Sequence, residues 1–199
     1  MNEEKRQRSK PKRRSRYLPV FGSLKGLCFA GILAAMSLIL GKFLQIPNPF
    51  QEFIRISFEN LPIMLAGFCL GPIAAATVGA VADLIGCLLY GYTINPIITL
   101  GAASVGLIAG FISRYIIKKH TVLKVIVCEI AAHTVGSVLI KSAGLAAWYL
   151  AKYDMGFWEF AAWRLLNYAI VAVAESVILI LLLKNRGFQK QIEEMSGRR

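Results

Sequence analysis

Apolar and polar positions follow one another in long blocks along the chain. Six apolar runs occupy residues 20–44, 56–70, 73–90, 94–117, 122–150 and 160–183. A helix needs about 20 apolar residues to cross a bilayer, and most of these runs reach or approach that length. Gly71-Pro72 separates the second run from the third and predicts a tight turn between two helices. The pattern predicts an all-α fold, an integral membrane bundle of six transmembrane helices.

The composition supports a membrane protein. Hydrophobic residues make up 56% of the 199 positions and charged residues only 17%, whereas soluble domains are about 45 to 50% apolar. We predict a basic tail at residues 1–19, a transmembrane domain at 20–185 and a second tail at 186–199. No small-x-small cleavage pattern follows the first run, so we interpret it as a retained span and not as a signal peptide.

The distribution of positive charge predicts the orientation. With six spans, 18 of the 23 Lys and Arg residues fall on the side of the two termini. Cytoplasmic loops carry such an excess, so both termini are expected in the cytoplasm of a protein of the cell membrane. The basic tail then orients the chain and attracts anionic lipid. Because the cations cluster at span ends, the net charge of +12 does not indicate a nucleic-acid partner.

Motifs for reaction chemistry are missing from the sequence. It has no GxSxG, HExxH or P-loop pattern, and its four cysteines show no CxxC spacing. We therefore expect no enzyme activity, no catalytic residues, no metal site and no ATP site in this chain.

A stripe of small residues follows the first predicted helix. Gly26, Ala30 and Ala34 recur every four residues, a spacing that lets another helix approach closely in lipid. Either a helix of the same chain or a partner subunit could pack there. Comparable steps in the third and fourth runs are expected to close the bundle on itself: Ala75, Gly79, Ala102, Gly106 and Gly110.

Charged residues inside the spans are the main candidates for function. A charge at the bilayer centre costs about 2.5 to 3.5 kcal/mol on insertion scales, so each needs a partner, water or a ligand. At about 1.5 Å per residue, Asp83 lies roughly 16 Å beyond the turn at Pro72. Lys141 and Arg164 reach the outer edge by the same measure.

The charged, amide and aromatic side chains of the outer half therefore predict a cup that binds an anionic aromatic solute. The alternative is that the aromatic residues form an interfacial belt and the cations snorkel to lipid phosphate. The candidate substrate-binding residues are Asp83, Arg164, Lys141, Arg55, Asn95, Asn167, Phe58, Tyr92 and Trp148.

A second polar group is predicted in the inner half. Glu129, His133, Ser137 and Lys141 follow one another at steps of four, so they share one helix face that must point into the bundle. We interpret Glu129 and His133, together with Glu175, as a polar network that holds helices together.

One stretch resembles a known family. It runs from Arg55 through Phe58 and Leu61-Pro62 to Gly71-Pro72, and Asp83 and Gly86 follow it. This pattern is similar to the substrate-capture subunits (S components) of energy-coupling factor (ECF) vitamin transporters, and most similar to the folate family. The resemblance covers about residues 20–185 and extends to Arg164.

The resemblance implies a vitamin-binding subunit without a cofactor of its own. Such a subunit captures its vitamin at the outer face and delivers it to a transmembrane coupling protein and two ATPases, which use the ATP. Ala30 and Ala34 resemble the docking contact for the coupling protein.

Folate fits the predicted charges. A carboxylate such as Asp83 can pair with a pterin amide and amine, and Arg164, Lys141 or Arg55 can neutralise the glutamate tail. Two alternatives stay open. Lys141 to Trp148 replaces an Asn-Thr-x-Trp-like stretch of the folate family, which leaves room for another vitamin, and a membrane scaffold of similar size would bind no solute.

Overall fold

The computed structural model describes residues 24–47, 55–117, 120–146 and 156–195, and nearly all of them are helical. A two-residue antiparallel strand pair, β1 and β2, joins the first two helices, with Ile46 opposite Ile56. The elements in chain order are α1 (Leu24–Phe43), β1 (Ile46–Pro47), β2 (Arg55–Ile56), α2 (Asn60–Leu70), α3 (Pro72–Tyr90), α4 (Pro96–Ile116), α5 (Thr121–Ala146), α6 (Phe157–Lys184) and α7 (Arg186–Met195). The predicted all-helical class is confirmed.

Five of these helices are long and apolar enough to cross a membrane, namely α1, α3, α4, α5 and α6. The second predicted run forms only the 11-residue helix α2, which extends about 16 Å at the standard rise. Ten of its residues are buried. The helix begins four residues later than predicted because residues 56–59 are spent on the strand pair and the turn that follows it.

The helices bury a core of small and large side chains and also expose many large apolar ones. Met64, Val105 and Leu179 are fully buried. Leu88 and Leu181 are 71% and 66% exposed, although large apolar patches are rare on soluble monomers. The outer surface is therefore suited to lipid.

Helices α3 and α4 pack in very close contact. A Cβ atom added to Gly79 would lie 2.4 Å from the Ala102 carbonyl oxygen, and one added to Gly106 would lie 2.4 Å from that of Ala75. Side chains larger than hydrogen at these positions would force the helices apart. The prediction that these small-residue steps close the bundle is confirmed.

Tight turns fix the ends of α3 and α4. Gly71 has φ of 96° ahead of Pro72, and Gly91 has φ of 67° where α3 ends; both values favour glycine. Asn95 caps α4, since its side-chain oxygen accepts a hydrogen bond from the Ile97 amide at 3.0 Å. Gly71 lies at one end of α3, and Gly91 and Asn95 lie at the other end, where α4 begins.

Two features depart from the predicted helices. Residues His133–Ile140 of α5 form a π-helix, which widens the turn in the middle of the span. Helix α7 lies in the stretch predicted as a tail, where Phe188 and Ile192 pack against the core. Their spacing of four residues places both on one helix face.

Candidate functional site

An open cleft lies between α1 and α3, at the end of the bundle where α2 and α4 begin. Its empty volume is about 550 Å³, a figure that includes open solvent at the mouth. Charged, polar and apolar side chains line it: Ser37, Leu38, Gly41, Gln45, Glu59, Ile63, Gly79, Ala82, Asp83, Gly86, Cys87, Tyr90, Tyr92, Ala102 and Lys141.

An ion pair forms one side of the cleft. The Lys141 Nζ lies 2.6 Å from Glu59 Oε1, and the side chains are 7% and 36% exposed, respectively. Lys141 beside it holds the pKa of the Glu59 carboxyl below its usual range, against the opposing effect of burial. The ammonium is therefore already neutralised by a carboxylate of the same chain.

Asp83 stands near this pair on α3. Its Oδ2 accepts a hydrogen bond of 2.6 Å from the Thr99 hydroxyl of α4, so the carboxylate is held in place across the α3–α4 contact. Asp83 is half-buried and faces the cleft. We call Glu59, Asp83 and Lys141 the cleft cluster. It carries two carboxylates and one ammonium.

Aromatic and cationic side chains surround the mouth. The Tyr90 hydroxyl donates to the Leu38 carbonyl at 3.1 Å, which fixes the ring. The Lys42 Nζ lies 4.7 Å from the centre of the Tyr90 ring and 6.0 Å from that of Tyr92. Arg55 donates from Nη1 to Gln45 Oε1 at 2.9 Å. Two cations thus lie next to residues that line the cleft.

Three of the predicted site residues meet in the cleft and five do not line it. Asp83, Lys141 and Tyr92 line it, and Arg55 reaches it only through Gln45. Trp148 lies outside the described residues. The predicted residues that do not line this cleft are Arg55, Phe58, Asn95, Arg164 and Asn167.

These five side chains have other surroundings. Arg164 donates from Nη2 to the Ser137 carbonyl at 2.9 Å and lies 5.4 Å from the centre of the Tyr168 ring, so its place in one cup with Asp83 stays a prediction. Asn95 donates to the Gly144 carbonyl at 2.8 Å, and Asn167 to the Arg55 carbonyl at 3.4 Å. Depth along a helix does not by itself give these hydrogen-bond partners.

The small stripe of α1 faces inward. Gly26, Ala30 and Ala34 are buried, and the two alanines belong to the hydrophobic core. The intramolecular alternative for this stripe is therefore the one that the structure shows. The exposed small residues of α1 are Gly31 and Ala35, one position further along, and no atom lies within 4 Å of a Cβ added to Gly31.

Sequence reasoning missed Glu59 and Lys42 as site residues. A buried lysine in a span requires a nearby acid, so Lys141 was itself the signal for a counter-ion such as Glu59. Lys42, near the end of the first apolar run, is typical of a cation that snorkels to the lipid headgroups. Its place above two tyrosines depends on the turn at Gly91, which the apolar pattern does not specify.

A second polar cluster lies deeper in the bundle. His133 Nε2 lies 2.8 Å from Glu175 Oε2 and 3.0 Å from Glu129 Oε2, and all three residues are buried. We call these residues the inner trio. The prediction that they form one network between helices is confirmed.

A helix bundle with a lipid-suited surface and an open polar cleft defines a membrane protein that can receive a small solute. Residues 25–184 match the model of the family described as "ECF transporter, substrate-specific component". The chain belongs to this family. It is accordingly a component of a transport system and not an enzyme, and the family assignment made from the sequence is confirmed.

Individual relatives agree with the family. A 64-residue stretch is 28% identical to the folate transporter FolT of Clostridium novyi (strain NT), covering 32% of this chain and 36% of that relative. The matched stretch thus spans about a third of its length. A crystal structure of FolT bound with folic acid is similar at a TM-score of 0.62 and 27% identity, covering 79% of this chain and 91% of that one.

A second solved structure, of the S component of a bacterial ECF transporter, is similar at a TM-score of 0.60 and 25% identity. The match covers 79% of this chain and 92% of that one. The likeness therefore extends over nearly the whole length of both solved S components.

Proposed function

We propose that this chain is the folate-binding S component of an ECF transporter. The observation that carries the proposal is the cleft itself, in which a fixed carboxylate, Asp83, lies below two tyrosine rings at an open mouth. The similarity to FolT bound with folic acid supports folate as the solute. A related pterin would satisfy the same chemistry.

Each part of the cleft has a role in this proposal. Asp83 accepts the ring amide and amine of the pterin, which together match a carboxylate in a bidentate pair. Tyr90 and Tyr92 pack on the ring system. Lys42 and Arg55, rather than the paired Lys141, neutralise the two carboxylates of the glutamate tail.

The orientation follows from charge. With α2 counted as the sixth membrane segment, both termini lie in the cytoplasm and the cleft opens outward. The loaded subunit then passes its solute to a transmembrane coupling protein, and partner ATPases supply the energy. We place the docking contact on the exposed face of α1 around Gly31 and Ala35, because small exposed residues permit close helix contact.

The test is folate binding to the purified chain, followed by isothermal titration calorimetry. We expect Asp83→Asn to weaken binding about 100-fold, or roughly 2.7 kcal/mol, because charge-assisted hydrogen bonds are lost. Glu159→Gln removes an exposed acid on α6 and is the matched control. Equal affinities of the two variants would refute the role of Asp83.

A second candidate solute is a cationic vitamin. The cleft cluster has an excess of acids, which the sequence did not predict because Glu59 was not assigned to the site. Such a solute would pair with Asp83 as a simple counter-ion. Competition between folate and thiamine on the same protein distinguishes the two: displacement of bound folate by thiamine at a comparable concentration favours the cationic candidate.

A further inference from the structure

The inner trio has an unusual arrangement of charge. Two carboxylates, Glu129 and Glu175, converge on a single nitrogen, His133 Nε2, at 3.0 and 2.8 Å. They come from different helices, α5 and α6, and the side chains of Glu129 and Glu175 are 1% and 0% exposed. Like charges this close together and away from water require a positive partner.

The hydrogen bonds within the inner trio do not satisfy all of its carboxylate oxygens. Glu129 Oε1 and Glu175 Oε1 are buried without a hydrogen-bond partner, and Glu129 Oε2 contacts the same His133 Nε2 that Glu175 also contacts. An imidazole nitrogen carries at most one hydrogen, so Nε2 cannot serve two carboxylates equally. Buried carboxylate oxygens without donors are uncommon in proteins.

The other ring nitrogen of His133 also has a polar neighbour. Nδ1 lies 3.4 Å from the Ser137 hydroxyl, whose oxygen also lies 3.4 Å from Asn60 Nδ2. Since Asn60 donates to that oxygen, the oxygen can also accept from Nδ1–H. In the neutral tautomer with its hydrogen on Nδ1, Nε2 presents a lone pair toward the two carboxylates. Metal-binding histidines are typically oriented in this way by a hydrogen bond at the second nitrogen.

From this geometry we infer that the inner trio is a binding site for one divalent transition-metal ion of the zinc class. One ligand atom from each of the three residues lies within 4.8 Å of the other two. Ligands around one zinc ion at about 2.0 to 2.2 Å are roughly 3.3 Å apart. One imidazole and carboxylate oxygens form a ligand set that such ions accept.

Charge and backbone agree with a metal ion. Two carboxylates, a neutral imidazole and a divalent ion sum to zero, which suits an interior without solvent. His133 is also the first residue of the π-helix of α5, and π-turns within helices are frequent at functional sites. The bound ion would join α5 to α6 below the cleft.

The experiment uses the full-length protein, purified in detergent without a histidine tag. After treatment with a chelator, it is titrated with Co²⁺ and the visible absorption bands of protein-bound cobalt are followed, then Zn²⁺ is added to displace the cobalt. We expect saturation at one ion per chain and a higher thermal unfolding temperature with Zn²⁺, since a ligand that binds the folded state stabilises it.

Variants locate the site. His133→Gln and Glu129→Gln should weaken Co²⁺ binding at least about tenfold. His120→Gln, which changes the other histidine of the chain, and Glu159→Gln should bind as the wild type does. Folate binding by each variant reports whether it is folded, independently of the metal.

Two results would overturn the inference. One is a wild-type protein that shows no cobalt bands and no zinc-dependent stabilisation. The other is a His133→Gln or Glu129→Gln protein that takes up metal as the wild type does, which would place the ion elsewhere on the chain.

Discussion

The two polar clusters of this bundle solve the same problem in different ways. The cleft cluster contains its own cation, which pairs with Glu59 at 2.6 Å, and it opens to solvent through the mouth of the cleft. The inner trio contains two acids and one histidine, all buried. An apolar bundle can keep charges either by pairing them or by reserving them for something that binds.

The comparison of the two clusters separates charges that are paired within the chain from charges that are available to bind a ligand. In the cleft cluster the Lys141–Glu59 pair is complete, so Asp83 is the charge that is left for a solute. In the inner trio several carboxylate oxygens have no donor. Removing one carboxylate from each cluster tests this difference. We expect a large loss of stability in the cleft cluster and a small change in the inner trio.

The largest expected effect follows Glu59→Gln. Lys141 is only 7% exposed, and a buried charge that loses its partner destabilises a protein by about 3 to 5 kcal/mol. We expect the lower end, about 3 kcal/mol, because Glu59 is partly exposed. The free energy of unfolding in detergent, measured with denaturant, checks this.

Two variants serve as controls. Glu59→Gln combined with Lys141→Met should recover most of the loss, since it removes both charges. Glu129→Gln in metal-free protein should change the free energy of unfolding by less than about 1 kcal/mol, because the loss of the 3.0 Å contact with His133 Nε2 is offset by removal of a buried negative charge beside Glu175. Similar losses from Glu59→Gln and Glu129→Gln would erase the distinction between the clusters.

The wall of the cleft can be disturbed without changing a charge. Gly79→Ala should destabilise the protein by about 2 kcal/mol, since the new Cβ would lie 2.4 Å from the Ala102 carbonyl oxygen. Gly31→Ala introduces the same methyl group where nothing lies within 4 Å. Thermal unfolding should distinguish the two variants, and an equally stable Gly79→Ala protein would contradict the close contact of α3 with α4.

The positioning of Asp83 is tested by Thr99→Val. The 2.6 Å hydrogen bond from the Thr99 hydroxyl is lost, and we expect folate affinity to fall about tenfold, or roughly 1.4 kcal/mol. Thr77→Val is the matched control, because Thr77 donates only to the Ala74 carbonyl of its own helix. Calorimetry that finds both variants unchanged would show that Asp83 needs no support from α4.

The smallest effect is expected at the mouth. Lys42→Gln should weaken folate binding about threefold, since an exposed cation contributes less than about 1 kcal/mol. The difference should disappear in high salt, where exposed charges are screened. Lys25→Gln at the opposite end of α1 should bind normally, and a salt-independent loss at Lys42 would point to a structural role.

Much of the fold could be predicted from the sequence because apolar runs are long and turns carry glycine and proline. The exceptions were α2, whose first predicted residues belong to the strand pair and the turn after it, α7, which lies in the stretch predicted as a tail, and the π-helix of α5. Asp83 could be found because a lone carboxylate in a span is costly. The sequence does not give the partners of Arg164 and Asn95, because their hydrogen bonds to the Ser137 and Gly144 carbonyls depend on how the helices pack.

The short helix α2 has a consequence for how the protein responds to its surroundings. Ten of its 11 residues are buried, so it scarcely meets the acyl chains. Changes in bilayer thickness are felt by helices that contact lipid, which adjust by tilting. Helix α2, which begins next to Glu59, is shielded from that adjustment. The cleft should therefore keep its shape in membranes of different composition.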